Sequence, residues 1–81
     1  MISGRQMKAA RALLDMDQRT LADLSGVSIA TIRRMEASPG TVRSNVDTLV
    51  KIVETLENEG VLLIGSGADS FEGGRGVRLK G

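Results

Sequence analysis

Cysteine and histidine are both missing from this 81-residue sequence. Without cysteine there is no disulfide framework and no cysteine-held zinc, and without histidine the other common metal ligand is gone as well. Tryptophan and tyrosine are absent and phenylalanine occurs once. Almost no platform remains for stacking unpaired bases, which argues against single strands and RNA as partners. No apolar run approaches the roughly 20 residues that span a bilayer. The N-terminus lacks the apolar stretch of a signal peptide. An excess of one charge is also lacking, since 11 basic and 10 acidic residues give a net charge of +1. Any affinity for nucleic acid must therefore come from where the charges sit, not from their sum. These absences lead to the expectation of a cytoplasmic protein with no membrane partner, no metal and no cofactor.

What is present suffices for one modest core. The length fits a single domain, and a hydrophobic content of 41% argues against disorder. Ser3 opens a Ser-x-x-Gln capping box, and Met7, Ala10, Leu13 and Leu14 follow at helical spacing, which predicts helix 1 over residues 4–14. Asp17 caps helix 2, over 18–25, with Leu21, Ala22 and Ser25 inward. Gly26 ends that helix in the left-handed conformation that a tight turn requires. Ser28 caps helix 3, over 29–37. The connection between helices 2 and 3 is then only about three residues long, the mark of a helix-turn-helix pair.

Pro39 and Gly40 place a turn in 38–44. Ser44 and Asp47 are expected to cap helix 4, over 45–59, whose stripe is Val46, Leu49, Val50, Val53 and Leu56. Gly60 stops it. Beyond that point, 61–64 reads as a short strand, 65–76 as a glycine-rich connection, and 77–80 as a strand alternating apolar and basic residues. The predicted architecture is mainly α: four helices and a C-terminal β-hairpin. A lone hairpin is marginal in water, so this one must pack on the helices or pair with another chain. Either it closes the core of its own chain, or it serves as a dimer element. The expected division is 1–60 for the helix-turn-helix domain and 61–81 for a dimerisation tail, because Ile52, Leu56 and the apolar face of the hairpin need cover that a second copy could supply.

Helix 3 carries the main functional signal. At about 100° per residue, Ile32 and Met35 share the buried side, while Ala30, Arg33, Arg34 and Ala37 lie opposite and Ile29 falls on the rim. Two small residues beside two long cations let a helix axis come close to a surface while guanidinium groups bond guanine edges or phosphates. Residues 26–45 hold Arg33, Arg34 and Arg43 against Glu36 alone, a local net charge of +2. A solvated arginine face on an ordinary core is the plainer alternative.

The stretch QRTLADLSGVSIATIRRMEAS resembles the phage-repressor/Cro-like, Xre-type helix-turn-helix family. The matching features are a Gln opening helix 2, Leu-Ala within it, Gly-Val-Ser at the turn, Thr-Ile in helix 3 and a Glu near its end. The whole chain is similar to short Xre-type regulators known from alphaproteobacteria, with RALLD before the motif and a GV…GGxGVRL tail. The resemblance implies transcriptional control, usually by a homodimer on a palindromic operator. It also implies residue roles. Gln18 would bind a phosphate at the start of helix 2. Ile29 and Ala30 would face bases, with Arg33 and Arg34 on the same side. Thr31, Thr41 and Arg43 would contact phosphates, and Arg43 could enter the minor groove. Arg11 and Glu36 would form a structural ion pair. Ile29 departs from the family, which often has a polar residue there; a thymine methyl is the natural partner for its apolar side chain, and a surface residue without a role is the alternative.

Other motifs carry less. The glycines of 65–76 are followed by neither the Lys nor the helix that a phosphate-binding loop needs. Asp15 and Asp17 are better explained by a helix end and a cap than by a catalytic carboxylate pair. No catalytic residues are expected. The resulting expectation is a sequence-specific binder of double-stranded DNA, a repressor acting as a homodimer on an inverted repeat, with a regulatory protein as a further partner. The alternative from another class is a protein-binding antiactivator or antitoxin with the same fold.

Overall fold

A computed structural model describes residues 2–65 and 75–81. Four helices, α1 (Gly4–Leu13), α2 (Gln18–Ser25), α3 (Ile29–Glu36) and α4 (Val46–Asn58), precede two strands, β1 (Val61–Ile64) and β2 (Gly76–Leu79). The strands pair antiparallel, with Val61 opposite Leu79 and Ile64 opposite Gly76. Each helix begins where a short polar side chain satisfies its free amides. Ser3 and Gln6 form a complete capping box on α1. Asp17 accepts from the Thr20 amide at 2.7 Å, and Ser28 from the Thr31 amide at 3.2 Å.

At α4 the cap is Asn45, whose side chain accepts from the Thr48 amide at 2.8 Å. This corrects the expected Ser44–Asp47 arrangement; Asn is among the strongest N-cap residues, and its carboxamide stands one position nearer the helix.

The helix ends differ. Gly26 has φ +75° and lets the chain turn within three residues, with Val27 buried in the turn. At the end of α1 a left-handed residue is also needed, but here it is Asp15, with φ +52°. The Met16 amide donates to the Arg11 carbonyl and the Asp15 amide to that of Ala12, which together make a Schellman closure. At about 100° per residue Leu13 falls roughly 120° from Met7, whereas Leu14 lies on the Met7 side and packs against the core; Leu13 is thus 42% exposed and is not the core residue its spacing predicted.

The core consists of Met7, Ala10, Leu21, Ile32, Met35, Ile52, Leu56 and Val61, all fully buried, with Ile2, Val27, Val42 and Leu49 at its margin. The buried face of α4 therefore centres on Leu49, Ile52 and Leu56. Val46 and Val50 stand on its flank, 67% and 39% exposed, contrary to the predicted stripe. The hairpin lies against α1 and α4. Ile52 and Leu56 are fully buried, so their need for cover is met within one chain. Gln6, itself buried, donates from Nε2 to the carbonyls of Ile64 and Gly76 at 2.8 and 3.1 Å and so fastens both strands to α1. Most of the glycine-rich connection, 66–74, and with it the glycines that a phosphate-binding loop would need, lies outside the described residues.

The start of α1 meets the end of α3. A Cβ on Gly4 would stand 2.7 Å from the Glu36 carbonyl oxygen and 2.8 Å from that of Met35. The positive end of one helix thus abuts the negative end of the other, an arrangement the helix dipoles favour. Only a residue without a side chain fits.

Candidate nucleic-acid interface

The side of α3 away from the core carries Ala30, Arg33, Arg34 and Ala37, all exposed, while Ile32 and Met35 are fully buried beneath them. Ile29 and Thr31 are half-buried. Ile29 borders a shallow cleft of about 400 Å³ shared with Arg19, Ala22 and Val27. Thr31 is occupied locally, its Oγ1 accepting from the Ser28 hydroxyl at 2.9 Å.

Beneath the arginine face sits a polar network. Glu36 is 3% exposed, and both of its carboxylate oxygens accept from Arg11: Oε2 from Nε and Oε1 from Nη2, each at 2.7 Å. Arg11 Nη1 donates to the Met16 carbonyl, so one guanidinium ties the end of α3 to the turn after α1. The Glu36 hydrogen bonds hold the Arg11 pKa above its already high ordinary value, partly opposed by burial. Gln18 Nε2 donates to the same Glu36 Oε1 at 3.0 Å, and Arg33 Nε donates to Gln18 Oε1 at 3.4 Å. A line of side chains thus runs from the inner helix to the outer face.

Arg34 goes the other way. Its Nη1 donates to the Arg43 carbonyl at 3.3 Å, which joins α3 to the loop before α4. That loop is held at its start, where Thr41 bridges Ser3 and the Val42 amide donates to the Ile2 carbonyl. Thr41 and Arg43 are both exposed. The fold therefore brings Arg33 next to Gln18, Arg34 next to Arg43, and Arg11 against Glu36. Ile29 and Ala30 stand at the start of α3 with no polar partner among the described residues. Two further residues were not singled out in the sequence for the roles they hold. Gln6 could be read only as a cap partner. Gly4 offered one faint signal, a poor helix former in a first turn where only a close approach would justify it.

The two short helices, the three-residue turn and the cationic outward face coincide with a family match over residues 7–60, to the model described as helix-turn-helix. The chain belongs to the Xre/Cro-like helix-turn-helix family. This helix-turn-helix protein is, at the level the family establishes, a DNA-binding transcription regulator. No curated protein matches it. The family match extends no further than this, and the expected likeness to short alphaproteobacterial regulators is unsupported. Among the described residues of the helix-turn-helix protein, no helix is long and apolar enough to cross a membrane.

Proposed function

We propose that the protein is a sequence-specific repressor that binds an inverted repeat in double-stranded DNA as a homodimer. In each copy α3 enters the major groove, Ala30 and Ile29 meet base edges, and Arg33 and Arg34 supply the charged contacts. The observation that carries this reading is the outward face of α3, where two alanines stand beside two exposed arginines over a fully buried Ile32 and Met35. The small residues allow close approach, and the arginines supply hydrogen-bond donors where the groove presents acceptors. Thr31, Thr41, Arg43 and the free second hydrogen of the Gln18 amide face the flanking phosphates. Half-sites lie about one turn, ~34 Å, apart. Control of a promoter by occlusion is the simplest mechanism.

The dimer draws support from apolar surface left uncovered by the fold. Val46 and Val50 stand exposed one turn apart on α4, Val50 lines a cleft of about 410 Å³ together with Ile2, Val53 and Leu63 and with Glu54 and Glu57, and Leu79 is 48% exposed on β2. A size measurement on Val50→Glu tests this; a monomer supports the assignment and an unchanged dimer removes it. Deleting 61–81 is a poor test, because Val61 is fully buried and its loss opens the core.

Titrating duplex against salt tests the binding mode. Phosphate contacts by arginine release counterions, so affinity falls steeply as salt rises. Binding that is indifferent to salt contradicts the proposal.

A further inference from the structure

We infer that Gln18 is a positioning residue for base readout, which holds Arg33 so that its free edge reads guanine. This rests on the functional reading above and adds to it a division of labour between the two arginines.

The Glu36 carboxylate can only accept hydrogen bonds, and three of them converge on it, two from Arg11 and one from Gln18. A carboxamide beside such a group cannot turn over without setting oxygen against oxygen. The Gln18 nitrogen is therefore fixed inward and its oxygen outward. That oxygen is the acceptor for Arg33 Nε. Arg33 is thereby held at its Nε, while its terminal nitrogens carry no hydrogen bond among the described residues. The edge formed by Nη1 and Nη2 is the one left to make the paired bonds that guanine O6 and N7 accept. Arg34 is placed differently, with Nη1 given to the Arg43 carbonyl. A guanidinium held at one edge loses less freedom on binding than a free one. Glu36, at the buried end, sets the orientation from which the others follow.

A phosphate contact through the second amide hydrogen is compatible with this arrangement, and the two roles have different consequences. Losing a phosphate contact weakens all sequences alike, whereas losing a positioning contact weakens discrimination at one base pair. The test is a double-mutant cycle in the full chain. Affinities are measured for the selected duplex and its single-base variants with wild type, Gln18→Ala, Arg33→Ala and the double variant.

Arg33→Ala is expected to abolish a guanine preference of roughly 5- to 150-fold at one position in each half-site. Gln18→Ala is expected to reduce that same preference about two- to tenfold, to leave preferences elsewhere intact, and to add nothing to discrimination once Arg33 is gone. If Gln18→Ala loosens the fold, Gln18→Met keeps the side-chain length without the polar atoms and gives the same readout. A uniform loss across duplexes with the preference intact, or an effect of Gln18→Ala on discrimination that persists in the Arg33→Ala background, overturns the inference alone. A wild type that selects no duplex overturns both it and the functional reading.

Discussion

Arg11 and Glu36 face each other in a bidentate pair, with both hydrogen bonds at 2.7 Å and the Glu36 side chain almost wholly buried. Such a pair is worth little compared with a good apolar replacement, but breaking it is costly, because the survivor is a buried charge. Arg11→Ala leaves the Glu36 carboxylate with Gln18 as its one remaining donor among the described residues. The expected loss is about 3–5 kcal/mol, measured as a shift in the urea midpoint. For a domain of this size that approaches the whole stability. The double replacement Arg11→Met, Glu36→Leu is expected to cost less than Arg11→Ala alone.

Gly4→Ala tests the contact between α1 and α3. The new methyl meets two backbone carbonyls at under 3 Å, and neither can turn aside as a side chain could. A loss on the order of 1–3 kcal/mol is expected from thermal unfolding, through displacement of α1. Gly26→Ala is the control. Nothing lies within 4 Å of its Cβ, so its cost is the left-handed backbone alone, about 1–2 kcal/mol.

The latch formed by Gln6 is open to a selective change. Gln6→Glu keeps an oxygen for the Ser3 amide, and so keeps the cap, but removes the donor to Ile64 and Gly76. Two carbonyls then lose the donor that fastens them to α1 and face a carboxylate. Amide exchange is expected to accelerate in β1 and β2 well before it does in α2 and α3. Equal acceleration throughout argues that the hairpin is not a separately docked unit.

Asp17 gives the pH dependence a definite sign. Hydrogen bonds from Thr20, the backbone amide first, hold its carboxyl below the ordinary carboxylate value. A depressed folded-state pKa means the contribution is fully present above the unfolded value of about 3.9 and is lost as pH falls through the folded one. Asp17→Asn retains a capping oxygen, so it is expected to be near-neutral at pH 7 and to lose less stability between pH 4 and 2. Urea midpoints across that range check it. A wild type and variant that fall in parallel contradict the assignment.

Much of this fold was legible because local and long-range signals agree in it. The caps at Ser3, Asp17 and Ser28, the glycine at 26 and the spacing of Ile32 with Met35 each specify the same structure. Most of what escaped the sequence depends on distant partners. Val46 and Val50 match the α4 periodicity yet lie outside, because β1 and α2 dictate which flank is covered. The cap at Asn45 competed with an equally plausible Ser44. The roles of Gln6 and Gln18 arise from partners far along the chain, and neither residue type announces them.

The central claim is that the outward face of α3 reads double-stranded DNA. Selection of bound duplexes from a random pool tests it most directly, run in parallel with wild type and with the Arg33→Ala, Arg34→Ala double variant. An inverted repeat enriched by the wild type and lost with the variant is the predicted result. No enrichment at low salt, or the same enriched sequence with both proteins, contradicts the account.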